Sequence, residues 1–153
     1  MFVVASQDLP PIAYDNLNRF MVSDRFIHLG WTNTKEWCHC IDLYIDSFPR
    51  GSGNTIFEAV FAGKPCVIMD TRENRESSAL NYLDPLQSSR LSIGITKSAD
   101  EHFAQSSRLI QSPELRKAIS ENQYRILSGL TNSSHLFAKD YLNYFLSANL
   151  SLH

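Results

Sequence analysis

Residues 41–69 read IDLYIDSFPRGSGNTIFEAVFAGKPCVIM, and this stretch decides the fold. Its order of apolar and polar residues predicts a strand at residues 43–45 that is buried on both faces, a glycine-bearing loop, a short helix and a second buried strand at residues 66–69. Two strands joined by a helix over so few residues are typical of a parallel crossover. Ligands of open α/β sheets bind at the carboxyl ends of the strands, where this loop is expected to lie.

The loop at residues 50–53 carries two glycines and leads directly into the predicted helix. We expect Ser52 or Asn54 to cap that helix by accepting hydrogen bonds from its first amides. The first turn, at Asn54 and Thr55, then presents unpaired amides and the positive end of the helix dipole. A phosphate group is the ligand that this arrangement favours.

The same stretch carries a family resemblance over residues 46–65. Asp-Ser-Phe-Pro, a small-residue loop, Asn-Thr, Glu-Ala and Ala-Gly-Lys-Pro follow one another there. This order resembles the nucleotide-sugar signature in the C-terminal half of GT-B glycosyltransferases, and it is most similar to the O-GlcNAc transferase and bacterial protein-glucosyltransferase branch. The resemblance implies an α/β fold with a Rossmann-like open parallel sheet flanked by helices. It also implies an enzyme that transfers a hexosyl or N-acetylhexosaminyl group from a nucleotide-sugar donor, a UDP-sugar.

The resemblance assigns roles to individual positions. Asn54 and Thr55 occupy the family's diphosphate-binding positions, and Glu58 stands where the family places the carboxylate that holds the ribose hydroxyls. Asparagine replaces the first threonine of the family's pair, and its amide still offers a donor to a phosphate oxygen. Arg50 stands where many other retaining GT-B enzymes carry a glutamate that reads the donor sugar, so the chain does not match that branch.

Two arginines follow the second strand, in the polar segment after residue 69. A guanidinium presents several donors to phosphate oxygens, so Arg72 and Arg75 are candidates for neutralising a diphosphate. The alternative is that they pair with Glu73 and Glu76 on a solvated helix face. The complete set of predicted nucleotide-sugar-binding residues is Ser52, Gly53, Asn54, Thr55, Glu58, Arg72 and Arg75.

Composition limits the remaining possibilities. The 153 residues, 43% of them hydrophobic and 20% charged, are sufficient for one core, so we predict a single nucleotide-sugar-binding domain over residues 1–153. A net charge of -2 gives no general basic field, and no nucleic-acid partner is expected. No apolar run approaches the roughly 20 residues of a membrane span, the first residues do not show the basic-then-apolar pattern of a secretion signal, and three cysteines favour a reducing compartment. We therefore expect a cytoplasmic protein without a transmembrane segment.

No metal or other cofactor is expected. The cysteines of Cys38-His39-Cys40 lie too close together in sequence for a zinc knuckle, and no second pair exists. Three apolar residues separate Asp42 from Asp46, which does not suit an Asp-x-Asp metal clamp. Glycosyl transfer without a metal requires helix amides, hydroxyls and cations to stabilise the departing diphosphate.

The flanking sequence predicts further elements of the same kind. Apolar runs predict strands at residues 2–5, 25–30 and 91–95. Helices are expected at residues 12–21, from residue 33 or 34 to 40, and from a cap at Ser98 or Asp100 to residue 110. The last two are predicted from Ser112 to a stop at Gly129, and over residues 132–145.

A complete enzyme of this family has two Rossmann-like halves, whereas 153 residues hold one at most. The resemblance therefore implies a fragment that is inactive alone and lacks an N-terminal acceptor domain. Its catalytic residues stay unassigned, and its acceptor, a protein or a glycan, stays open. The alternative is a non-catalytic α/β interaction module that has lost ligand binding. A dinucleotide-binding oxidoreductase is disfavoured because the glycines do not follow Gly-x-Gly-x-x-Gly after the first strand.

Overall fold

The structure is a computed structural model that describes residues 1–4, 8–19, 23–49, 51–77, 80–84 and 94–132. Its contacts group the chain into two compact units, Met1–Trp37 and Cys38–His153. Each unit holds a small parallel sheet. The expectation of one nucleotide-sugar-binding domain over residues 1–153 stays a prediction.

The first unit contains a parallel pair of strands that the apolar runs predicted. Strand β1 pairs with β2 in a register that sets Phe2 opposite Phe26 and Val4 opposite His28. A helix and a short 3-10 turn connect the two strands, and a further short helix follows. The elements are β1 (Phe2–Val4), α1 (Pro11–Arg19), the 3-10 turn (Ser23–Arg25), β2 (Phe26–His28) and α2 (Thr34–Trp37).

The second unit contains a parallel sheet in the order β3-β4-β5, with helices between and after the strands. Its elements are β3 (Tyr44–Ile45), α3 (Asn54–Phe61), β4 (Cys66–Met69), α4 (Arg72–Ser77), α5 (Leu80–Leu83), β5 (Ile95–Thr96), α6 (Ala99–Gln111) and α7 (Pro113–Asn132). The parallel strands and intervening helices confirm the predicted α/β class. The single Rossmann-like sheet and the GT-B half stay predictions.

The central strand of this sheet is β4, and its side chains belong to the hydrophobic core. Every residue from Cys66 to Met69 is buried, as the unbroken apolar run predicted. Strand β3 differs, because it lies at an edge of the sheet that the described residues form, and Ile45 is 41% exposed. The expectation that this strand is buried on both faces is therefore wrong.

Helices cover β4 with the apolar faces that their spacing indicated. Ile56, Ala59 and Val60 of α3 are fully buried and join Ile68 in the larger core cluster. A smaller cluster unites Val67 with Leu109 of α6 and Ile119 of α7. Burying each large aliphatic side chain stabilises the fold by about 1.5–3 kcal/mol, so these faces fix α3, α6 and α7 against the sheet.

Two of the predicted helix caps are present in the second unit. Ser98 Oγ accepts the Glu101 amide at 3.2 Å at the start of α6, and Ser112 Oγ accepts the Leu115 amide at 3.1 Å at the start of α7. The predicted stop at Gly129 is wrong, since α7 continues to Asn132. A glycine inside a helix costs only about 1 kcal/mol, which a 20-residue packed helix tolerates. The helix expected at residues 132–145 lies, beyond residue 132, outside the described residues.

Candidate functional site

Helix α3 begins at the carboxyl end of β3, where the crossover pattern placed the predicted ligand site. Its N-cap is Gly53, whose φ of 44° lies in the region that favours glycine, and no side chain caps the helix. The expectation that Ser52 or Asn54 provides the cap is therefore wrong. The Ser52 hydroxyl instead faces back along the loop towards Asp46.

A buried carboxylate organises this loop. Asp46 is 2% exposed, and its Oδ1 accepts the amide of Ser52 at 3.1 Å and the Ser52 hydroxyl at 2.8 Å. The phenol of Tyr44 also donates to Oδ1 at 3.3 Å and contacts Ser52 Oγ. Burial raises the pKa of Tyr44, so its hydroxyl keeps the proton that it donates. One side chain thus fixes the direction in which the chain enters α3.

Gly51 is the point at which the loop passes closest to this carboxylate. A Cβ at this position would come within 1.9 Å of Asp46 Oδ2 and 2.8 Å of Asn74 Oδ1. Real Cβ atoms do not approach other atoms so closely, so only glycine fits here without a shift. The amide of Gly51 uses the approach to donate to Asn74 Oδ1.

The loop is held from its other side by the start of α4. Thr71 Oγ1 donates to the Pro49 carbonyl at 2.5 Å and accepts the Asn74 amide at 3.0 Å, as an N-cap does. Asn74 is fully buried, and its Nδ2 donates to the Met69 carbonyl at 2.8 Å. The loop that follows β3 and the loop that follows β4 are therefore joined by direct hydrogen bonds.

Two backbone donors are left at the entrance to α3. The amides of Thr55 and Ile56 donate to the Ser52 and Gly53 carbonyls at 3.1 and 3.3 Å. For the amides of Gly53 and Asn54, the described part of the chain provides no acceptor. These two N–H groups lie at the positive end of the helix dipole and can receive an anion.

Five of the predicted site residues lie together at this end of α3. The Asn54 side chain is exposed, and that of Thr55 is partly buried. Glu58 lies one turn further along the same helix and is also partly buried. Ser52 and Gly53 complete the group, with roles in the loop hydrogen bonds and in the cap.

The two predicted arginines lie on α4, after the next strand. Arg75 donates through Nε to Asp70 Oδ1 at 2.6 Å and through Nη2 to Asp70 Oδ2 at 2.9 Å. The same Nη2 lies 3.8 Å from Asp84 Oδ2. These hydrogen bonds and the two carboxylates raise the pKa of Arg75. Among the described side chains, the carboxylates beside Arg75 are those of Asp70 and Asp84. Arg72 is exposed on the same helix.

A buried histidine of α6 lies beside the end of β5, at the carboxyl edge of the sheet. His102 of α6 is 2% exposed, and its Nδ1 lies 3.2 Å from Thr96 Oγ1. The Phe48 ring meets the imidazole edge-on, with 5.5 Å between ring centroids. The loop between β3 and α3 therefore contacts α6 as well as α4.

Sequence reasoning missed four residues that shape this site. Asp46 was visible as the polar residue that ends a strand, and Thr71 with Asn74 form the i, i+3 pattern of a helix cap after β4. No local pattern indicates His102, because its neighbours in the site come from distant parts of the sequence.

Other features of the chain bear less on this site. In the described ranges, no three His, Cys, Asp or Glu side chains are grouped so as to hold a metal ion. A shallow cavity of about 240 Å³ lies at the opposite ends of β3 and β4, beside α7. Two of its three cations have partners: Arg116 donates to the Leu109 carbonyl at 2.7 Å, and Lys117 lies 3.9 Å from Glu121. No described helix has the length and apolar character needed to cross a bilayer.

The second unit is thus an α/β arrangement of parallel strands with the amino terminus of α3 at the carboxyl edge of its sheet. Comparison with known proteins adds no relative to this description, since no protein-family model and no curated protein matches the chain.

Proposed function

We propose that this chain is a nucleotide-sugar-binding domain of a GT-B glycosyltransferase and that its ligand is a UDP-sugar. In this proposal, the donor diphosphate binds at the amino terminus of α3. The observation that carries the proposal is the pair of amides, those of Gly53 and Asn54, that no described residue accepts. They lie at the carboxyl end of a strand in a parallel sheet, which is where ligands of open α/β sheets bind.

The loop geometry supports this proposal because it fixes the donors in advance. Asp46, Thr71 and Asn74 hold the loop with hydrogen bonds on two sides, so the amides do not need to be ordered when a ligand arrives. An anion at a helix amino terminus is stabilised by about 0.3–1 kcal/mol, and by up to about 2 kcal/mol where it is partly buried.

The side chains of the first two turns supply the remaining proposed contacts. Asn54 and Thr55 offer an amide and a hydroxyl to the phosphate oxygens beside the two backbone donors. Glu58 offers a carboxylate that accepts from the ribose hydroxyls of the same ligand. During transfer, these neutral donors would stabilise the charge that develops on the departing diphosphate. A second, N-terminal domain would bind the acceptor, which is a protein or a glycan.

Calorimetric titration of the chain with UDP, UDP-glucose and UDP-N-acetylglucosamine tests the proposal. We expect a dissociation constant in the millimolar range or tighter, and a loss of affinity of about three- to thirtyfold for Asn54→Ala or Thr55→Ala, which corresponds to one or two hydrogen bonds. Glu121→Ala on the exposed surface of α7 is the matched control and should bind as the wild type does.

The role of Glu58 has its own comparison within the same experiment. If the Glu58 carboxylate accepts hydrogen bonds from the ribose hydroxyls, Glu58→Ala should reduce the affinity for UDP more than the affinity for 2′-deoxy-UDP. The second ligand lacks one of those hydroxyls, so it has less to lose. Absence of heat with every nucleotide would instead favour the interaction module that has lost ligand binding.

A further inference from the structure

His102 lies at the meeting point of the sheet edge and the loop that enters α3. It is in the first turn of α6, and its amide donates to the Ser98 carbonyl at 2.9 Å. Its ring is held on one side by Thr96 Oγ1, 3.2 Å from Nδ1, and on the other by the edge-on ring of Phe48. The imidazole therefore contacts the loop directly rather than through the sheet.

Two buried polar atoms are left without a hydrogen-bond partner among the described residues here. One is His102 Nε2, and the other is Asp46 Oδ2. The second oxygen of the same carboxylate, Oδ1, holds the Ser52 amide and hydroxyl. The unpartnered Oδ2 therefore belongs to the same carboxylate that makes the hydrogen bonds that shape the loop.

The elements packed against α6 bring few titratable groups to this ring. Strand β4 has the thiol of Cys66 at its first residue, at the end of the strand remote from this edge, and β5 has none. On α6 itself, Asp100, Glu101 and Arg108 are exposed. Arg116 of α7 donates to carbonyls near the far end of α6. The other charged side chains of α7 are Glu114, Lys117, Glu121 and Arg125.

Within the described residues, the charge that acts on His102 is that of Asp46. Burial lowers the pKa of His102, and the Asp46 carboxylate opposes that shift without overcoming it. The closed arrangement therefore favours the neutral imidazole. When the loop is open, water reaches His102 on α6 and its imidazole has the ordinary pKa of about 6.5, so acidification below that value favours the open arrangement over the closed one.

We propose that His102 is a positioning residue, whose neutral imidazole keeps Phe48, and with it loop residues 46–49 and 51–52, closed against the sheet edge and whose protonation releases them. Phe48 is the contact that would give way, because it is 44% exposed while the imidazole beneath it is buried. The consequence for ligand binding rests on the proposed function: release of the loop disorders the Gly53 and Asn54 amides and weakens the anion site.

Nuclear magnetic resonance of the whole chain tests the positioning role without a ligand. We expect the Ser52 amide resonance to shift between about pH 8 and pH 5 with the same midpoint as the imidazole of His102. His102→Asn keeps a polar group beside Thr96 and should abolish the shift, whereas His39→Asn, at an exposed histidine, should leave it unchanged. Phe48→Leu should uncouple the two titrations and, as a change at a partly exposed position, is a second variant if His102→Asn does not fold.

Titration of the same variants with UDP tests whether the protonation of His102 affects ligand binding. The affinity of the wild type should fall by about three- to tenfold more between about pH 7.5 and pH 5.5 than the affinity of His102→Asn does, since the ionisation of UDP affects both proteins equally. A Ser52 resonance that ignores the titration of His102, or an equal loss of affinity in both proteins, would overturn the positioning role. Absence of UDP binding at every pH, with the coupled titration intact, would instead overturn the proposed ligand.

Discussion

At the scale of single residues, Asp46 is the main hydrogen-bond acceptor of the candidate site. Its carboxylate receives the amide and hydroxyl of Ser52 and the phenol of Tyr44, and this set of bonds replaces the side-chain cap that the sequence predicted for α3. Hydrogen bonds to a charged acceptor contribute about 1.5–3 kcal/mol, more than a neutral helix cap does. The stronger acceptor explains why the Ser52 hydroxyl turns away from the helix.

Gly51 gives the sharpest test at the scale of one residue. Gly51→Ala forces a methyl group against Asp46 Oδ2 and Asn74 Oδ1, and we expect it to destabilise the fold by about 1–3 kcal/mol, as overpacked sites do. Urea unfolding measures the change. The matched control is Gly129→Ala, where a Cβ meets nothing within 4 Å inside α7, and it should stabilise by about 0.5–1 kcal/mol. Equal effects of the two substitutions would show that the loop does not pass Asp46 so closely.

Among the elements, β4 depends on α7 in a way that hydrophobic patterning does not indicate. Gln123 of α7 is fully buried, and its side chain accepts the Cys66 amide at 2.9 Å and donates to the Cys66 carbonyl at 2.8 Å. It thereby takes the place of a neighbouring strand at the first residue of β4. Ser120, one turn earlier, donates to the Gly63 carbonyl at 2.7 Å. The polar face of α7 is thus bonded to the loop and strand that follow α3.

Replacement of Gln123 by methionine tests this dependence. Gln123→Met keeps the volume but leaves the Cys66 amide and carbonyl unpaired in the core, and each such group costs about 1–3 kcal/mol. We expect the free energy of unfolding to fall by about 2 kcal/mol or more in a urea titration. Gln111→Met at the exposed end of α6 should change it by less than about 0.5 kcal/mol. A small effect at Gln123 would mean that water replaces the side chain at β4.

Predictions from sequence succeeded where the information is local. The apolar run of β4 and the caps at Ser98 and Ser112 each depend on residues within a few positions of one another. The contacts that build the site do not: Gly51 meets Asn74 across 23 positions, and Cys66 meets Gln123 across 57. No periodicity connects such partners, so Asn74, His102 and Gln123 were not identified from the sequence.

At the scale of the whole molecule, the sequence indicated the α/β class and the position of the α3 loop at the carboxyl end of a parallel strand. It did not indicate that the contacts divide into two units, because the apolar runs of residues 2–4 and 44–45 look alike in sequence. It also placed β3 inside the sheet, since a short apolar run does not show how many neighbours a strand has.

The reactivity of the three cysteines shows whether the second unit is folded. Cys40 is exposed, whereas Cys38 and Cys66 are buried, and burial raises the pKa of both buried thiols. We expect a thiol reagent to modify one cysteine rapidly in the native protein and all three in urea, because only the thiolate reacts. Cys40→Ser should remove the rapid phase. Rapid modification of a second cysteine in native buffer would contradict the buried position of Cys38 or Cys66.

The bonds from Thr71 to Pro49 and from Asn74 to Gly51 mean that the ends of two neighbouring strands behave mechanically as one piece. A ligand that displaces one of these two loops must therefore displace the other as well. An insertion in one of the two loops is therefore expected to break the hydrogen bonds that hold the other. A design that changes the specificity of this edge should therefore transfer both loops together, residues 46–49 and 51–53 with residues 71–74.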